Sequence, residues 1–144
     1  MAVKFHFHTK APTLSNRRSL KHFIPLIFEQ EGKKLSELDF IFCDDAYLID
    51  INRTFLNHDF YTDIITFDMS ADGSSEISGE IYISVNMVAE NSLKYSSKDE
   101  IYRVIFHGVL HLCGYDDKQP PAKLEMRNKE QYYLSAFESY LTNK

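Results

Sequence analysis

The stretch Ile101–Asp117, IYRVIFHGVLHLCGYDD, decides the fold, because it sets two histidines four residues apart in an apolar helical pattern and follows them with a glycine and two aspartates. At 100° per residue, Ile101, Val104, Ile105, Val109 and Leu112 form one stripe, while Phe106 and Leu110 make the opposite side apolar too. Such a helix belongs in the interior. His107 and His111 fall one turn apart on the same face, so both imidazoles project into the protein, where an unpartnered ring nitrogen is costly. Gly114 suits the first position past the helix, since it can take the left-handed conformation and turn the chain back. Asp116 and Asp117 then return toward the histidines.

The pattern His-x3-His-x5-Asp supplies two imidazoles and one carboxylate, a donor set suited to a zinc ion that keeps a fourth position for water. A structural zinc site would use four protein ligands, often thiolates, and the nearby thiol, Cys113, sits about 200° around the helix from His111. It is expected to face away. A single histidine on an apolar helix is most often a hydrogen-bonded core residue, and two at i, i+4 also arise by chance. The acid after the glycine turn moves the balance toward a metal site held by His107, His111 and Asp117.

The run His107-Gly108-x-Leu110-His111-Leu112-x-Gly114-Tyr115-Asp116 closely resembles the signature of the YbeY family of metal-dependent endoribonucleases that mature ribosomal RNA. The resemblance extends through NHDFYTDIITF (Asn57–Phe67) and SGEIYIS (Ser78–Ser84), and covers roughly Asp44 to Leu134. It implies a single YbeY-like domain over residues 1–144, with a four-stranded sheet, surrounding helices and a metal at one end of a cleft. It also implies single-stranded ribosomal RNA as substrate, trimming near the 3′ end of the small-subunit RNA, and the ribosome and small-subunit assembly factors as partners. Two positions depart from the family pattern: Asp117 stands where a third histidine is usual, and Leu56 where the family has an arginine thought to assist catalysis. The first exchange is chemically mild, since a carboxylate oxygen binds zinc at about 2.0–2.2 Å and an imidazole nitrogen at about 2.0–2.1 Å. The second leaves the catalytic helper unassigned, with His58 as the candidate.

At 144 residues the chain fits one domain, long enough to bury about two-thirds of its unfolded surface without staples. An apolar fraction of 44%, with 14% aromatics, argues for a folded core, and no run approaches the roughly 18 apolar residues of a membrane span. The N-terminal MAVKFHFHTK has no apolar h-region, so a cytoplasmic protein is expected. Cys43 and Cys113 fall in expected core elements and read as buried thiols. The formal charge of −5 is unevenly spread: residues 1–34 hold seven basic and two acidic residues, leaving nine basic and nineteen acidic beyond them. The basic third could face phosphates, although charge on an amphipathic helix is usually just its wet face.

Along the chain, Val3–His8 alternates as a half-buried strand, and Ser15 or Asn16 can cap a helix to Gln30 or Glu31, kinked at Pro25. Leu38–Cys43 reads as a buried strand. Asp44 or Asp45 then caps a helix through Leu56 with Leu48, Ile49, Ile51 and Phe55 inward. Thr62–Met69 and Gly79–Val85 read as paired strands across a Ser/Gly/Asp-rich connection. Asn86 can cap a helix over Met87–Tyr95, Ser97-x-x-Glu100 is a capping box for the histidine helix, and Pro120-Pro121 opens a last helix. Met126, Tyr133, Phe137 and Tyr140 of that helix face the core. The order β-α-β-α-β-β-α-α-α predicts an α+β domain with a small mixed four-stranded sheet and a zincin-like metal helix.

Zinc on these residues would activate water and polarise a phosphoryl oxygen, which suits phosphodiester cleavage. A small zinc peptidase would carry His-Glu-x-x-His with the glutamate as base, and here Gly108 follows His107. A metal-stabilised ribosome-assembly factor without catalysis is the other alternative. Tyr115, beside the metal loop, is a candidate for stacking on an unpaired base.

Overall fold

A computed structural model describes residues 2–9, 14–94 and 99–143. Nine elements follow in order: β1 (Val3–Phe7), α1 (Arg17–Gln30), β2 (Lys34–Cys43), α2 (Asp45–Leu56), β3 (Ile64–Asp68), β4 (Glu76–Ser84), α3 (Val85–Lys94), α4 (Glu100–Leu112) and α5 (Pro120–Thr142). The strands form one mixed four-stranded sheet in the order β1-β2-β4-β3, parallel between β1 and β2 and between β2 and β4. The final pair, β3 with β4, is antiparallel, with Ile64 opposite Ile83 and Asp68 opposite Gly79. The expected α+β fold with its mixed sheet is what the chain adopts.

Strand alternation divides the side chains between two faces. Val3, Leu38, Phe40, Phe42, Ile81 and Ile83 join the main core under α1, α4 and α5, whereas Cys43, Leu48 and Ile65 form a smaller cluster on the other side, beneath α2. The histidine helix α4 crosses the main face at unusually short range. A Cβ on Gly108 would lie 2.9 Å from Ile81 Cδ1 and 3.0 Å from Ile64 Cδ1, and one on Gly79 would lie 2.7 Å from Leu112 Cδ1. Glycine at both positions lets helix and sheet approach closely, which fixes the height of the two histidines above β3 and β4.

Several local expectations shift. Strand β2 begins at Lys34, four residues before the apolar run, because its polar start still pairs with β4 through an irregularity between Leu35 and Glu37. Helix α1 runs through Pro25, and Asn16 occupies its N-cap without a capping bond, since its amide donates to the Tyr102 hydroxyl at 3.1 Å. Asp44 does cap α2, accepting from the Tyr47 amide at 2.9 Å. Within α2 the inward face is Leu48, Ile49 and Asn52, while Phe55 is 64% exposed. Asn86 does not cap α3: its side chain accepts from the Asp45 amide, and Ser84 Oγ accepts from Met87 N instead. Tyr95 and Ser97, and with Ser97 the expected capping box, lie outside the described residues; Asp99 precedes α4, and Glu100 accepts from Arg103. In α5, Met126, Tyr133 and Phe137 are buried as expected, and Tyr140 is half-buried against the core. No helix among the described residues is long and apolar enough to cross a membrane.

Candidate metal centre

Helix α4 ends in a Schellman turn: Tyr115 N bonds Leu110 O, Gly114 N bonds His111 O, both at 3.0 Å, and Gly114 takes φ of +106°. The reversal brings the Tyr115 carbonyl back over the helix, where it accepts from His111 Nδ1 at 2.9 Å. One residue on, Asp116 Oδ1 accepts from the amides of Asp117 at 2.7 Å and Lys118 at 3.1 Å, so Asp116 is engaged with its own loop. The carboxylate directed at the histidines is that of Asp117.

Three donor atoms converge there. His107 Nε2 lies 3.0 Å from His111 Nε2 and 3.2 Å from Asp117 Oδ2, and His111 Nε2 lies 3.6 Å from the same oxygen. The outer ring nitrogens settle what these atoms are. A carbonyl can only accept, so His111 Nδ1 carries the proton; Glu130 Oε2 stands 2.5 Å from His107 Nδ1 and fixes that ring the same way. With Nε2 unprotonated on both rings, as ligation of a metal requires, these atoms present lone pairs to each other and to a carboxylate. Such a cluster is repulsive unless a cation sits among the three. The edges of a tetrahedral zinc site with bonds of about 2.0–2.2 Å are about 3.3–3.6 Å, close to the triangle observed, and the same three residues are the metal-capable group found among the described residues.

The support behind His107 was not foreseen from the sequence. Glu130, on α5, is 5% exposed; burial alone would push its carboxyl up, but His107 and Arg103 hold it below the usual carboxylate range. Arg103 Nη1 bonds Glu130 Oε1 at 3.2 Å, its Nε and Nη2 bond Glu100 at 2.9 and 2.7 Å, and Asp63 lies 3.8 Å away. The signal was present, since Arg103, His107 and His111 recur every four residues on one stripe of α4. Cys113 is buried among apolar side chains, which pushes its thiol up to about 12, and it does not join the converging donors.

The triangle opens onto a cleft of about 540 Å³ walled by β3, the end of α2 and the loop between them. His58 lines it at the rim, its ring stacked on Phe60 at 5.1 Å, and Leu56 forms part of the same wall. Buried Asn52 pins this loop, its side-chain amide donating to Phe60 O at 2.9 Å and its backbone carbonyl accepting from His58 N at 3.1 Å. Tyr115 does not face the cleft: its hydroxyl donates to Glu31 Oε1 at 2.6 Å, and Glu31 also accepts from the Tyr133 hydroxyl and from Lys129. Tyr115 is thus a tether for the metal loop rather than an open stacking surface.

A family model described as Endoribonuclease YbeY matches residues 5–138. Curated relatives bearing that name include those of Cytophaga hutchinsonii, 46% identical over 85% of this chain and 86% of its own length, and Karelsulcia muelleri, 44% identical over 92% and 93%. The Flavobacterium johnsoniae protein of the same name is 39% identical over 94% of this chain and 96% of its own. A Thermotoga maritima protein solved in solution superposes with a TM-score of 0.62 at 24% identity, covering 97% of this chain and 93% of that one, a likeness of fold.

Proposed function

Because this chain belongs to the YbeY endoribonuclease family, we propose that it is a zinc-dependent endoribonuclease whose metal is held by His107, His111 and Asp117. Its substrate is single-stranded ribosomal RNA near the 3′ end of the small-subunit RNA, met on or beside the ribosome with its assembly factors, which places the work in the cytoplasm. The observation that carries the metal assignment is the convergence of two imidazole lone pairs and a carboxylate within 3.6 Å.

A zinc ion bound there supplies Lewis acidity, lowering the pKa of water toward about 7 and polarising a phosphoryl oxygen. The chain's own residues do the rest. Glu130 and the Tyr115 carbonyl keep both rings in the ligating tautomer, and the Glu31 tether holds the loop that delivers Asp117. Phe60 and Tyr61, 54% and 60% exposed at the cleft loop, offer flat faces to unpaired bases, which supports a preference for single strands. His58, stacked on Phe60 at the rim, is placed to meet substrate and is retained as the candidate helper. A peptidase reading finds no base after His107, since Gly108 is pressed against Ile81 and Ile64.

The test combines elemental analysis with cleavage of a labelled unstructured RNA and of a peptide library. Wild type should carry about one zinc per chain and cut RNA alone, and His107→Ala should lose both metal and activity. Full zinc content in a folded His107→Ala variant would overturn the site. Peptide cleavage without RNA cleavage would overturn the substrate.

A further inference from the structure

Cleaving a phosphodiester needs positive charge near the non-bridging oxygens, and the arginines and lysine on the elements around this cleft are already committed. Besides the histidines, the charged residues lining it are Asp63, Asp68, Asp117 and Lys118. Arg103 reaches an adjoining recess of about 180 Å³ beside His107, but its guanidinium is shared among Glu100, Glu130 and Asp63. Arg53, on α2, is bound by Asp59 and lies 3.6 Å from Asp50, and Lys129 is held by Glu31 at 3.3 Å. Leu56, on the facing wall, brings no charge. Among the described residues that line the cleft, Lys118 alone offers an exposed ammonium with no carboxylate partner.

Its placement is built rather than incidental. Asp116 Oδ1 accepts from the backbone amides of both Asp117 and Lys118, so one carboxylate holds the stretch of backbone from which both side chains leave the loop. A compact ammonium on a flexible stem, next in sequence to the residue aimed at the triangle, suits a phosphate whose position changes during reaction. We propose that Lys118 is the phosphate-contacting cation of this cleft, binding the phosphate under attack and stabilising the charge that builds on its non-bridging oxygen. The proposal rests on the endoribonuclease reading and names a residue for it.

The test compares full-length wild type, Lys118→Met, which keeps the stem without the charge, and Lys118→Arg. Zinc content is measured first, and it should be the same in all three. Single-turnover cleavage of a labelled unstructured RNA should fall about 10–100-fold in Lys118→Met, at or below the loss typical for one donor to a developing oxyanion, and stay within about threefold of wild type in Lys118→Arg. Anisotropy of the same RNA on metal-free protein should show a salt dependence shallower by about 0.7 in log K against log salt, the loss of one single-strand phosphate contact. Cleavage and salt slope both at wild-type values in Lys118→Met would overturn the assignment, and so would loss of zinc, which would make Lys118 a loop-positioning residue. If wild type cuts no RNA, the endoribonuclease reading fails separately, and the binding slope still judges the contact: an unchanged slope sinks it.

Discussion

Replacing Glu130 with glutamine tests whether the ring of His107 is held in its ligating form by a charge from α5. Glutamine keeps the shape of the side chain but has one acceptor and one donor end. If its oxygen takes the His107 Nδ1 proton, its amide nitrogen faces Arg103 Nη1, a donor against a donor, where the native distance is 3.2 Å. If the amide is flipped, Arg103 is satisfied, but the NH2 group points at His107 Nδ1 and favours the tautomer with its proton on Nε2. That proton would stand in the middle of the triangle, where a bound metal would meet the three donor atoms. Neither orientation serves both neighbours.

Loss of a group that orients a ligating histidine costs about 10–100-fold in metal affinity, equivalent to about 1.4–2.7 kcal/mol. The buried charge-assisted bonds lost in the same substitution weaken folding by a further ~1.5–3 kcal/mol, softened because Arg103 keeps both bonds to Glu100. The two effects separate experimentally. Zinc affinity is measured by competition with a chelator, folding stability by denaturant unfolding of the metal-free protein. A Glu130→Gln variant that is fully folded and binds zinc within about twofold of wild type would refute the tautomer argument, even if its stability had dropped.

Three further outcomes are expected. Gly108→Ala gains up to about 1 kcal/mol of helix propensity, but its Cβ meets fully buried Ile81 at 2.9 Å, so denaturant unfolding should show a net loss of ~1 kcal/mol; a stabilised variant would mean that helix and sheet do not meet this closely. Phe60→Ala removes a 54% exposed ring and should leave the melting temperature unchanged while raising the half-saturating RNA concentration about 5–150-fold, from ~1–3 kcal/mol of base stacking; an unchanged value places the bases elsewhere. For Glu31, burial raises the carboxyl, but bonds from Tyr115, Tyr133 and Lys129 outweigh it and hold it below 4.5. A carboxyl lower in the folded than in the unfolded chain adds stability that is full above about 4.5 and is lost as pH falls through the folded value. Urea midpoints taken from neutral to acid pH should therefore fall less steeply in Glu31→Gln, and parallel curves for the two proteins would contradict the tether.

Much of this fold was legible because its signals are local. Alternation gave β1 and the antiparallel pair of β3 and β4, and Asp44 and Pro120 marked helix starts that the structure keeps. The misses share a cause. Hydropathy predicts Phe55 inward, yet Asn52 takes the buried place, where its side-chain amide donates to Phe60 O in the loop that also carries His58. Local pattern predicts the amide of Asn86 as a cap for its own helix, but its oxygen accepts from the Asp45 amide at the start of α2, a partner 41 residues away. A polar side chain bonds whatever the tertiary fold brings to it, and pattern reading sees only its neighbours in sequence.

The site shows the same division, with one instructive exception. His107 and His111 declare themselves by a spacing that the helix converts directly into proximity, and Asp117 follows through a turn whose glycine is visible in the chain. Glu130 looks unreadable by comparison, since its bond to His107 spans 23 residues and two helices. Yet α5 buries Met126, Glu130, Tyr133 and Phe137 at intervals of four, three and four, so the glutamate occupies a core position of an otherwise apolar stripe. A carboxylate is almost never buried without a cation or donors to meet it. In α4, a mostly buried helix, Arg103 and His107 stand one turn apart on a single face. Charge buried in one helix thus constrains which stripe of another it must pack against, and here that constraint joins α5 to the side of α4 that carries the histidines.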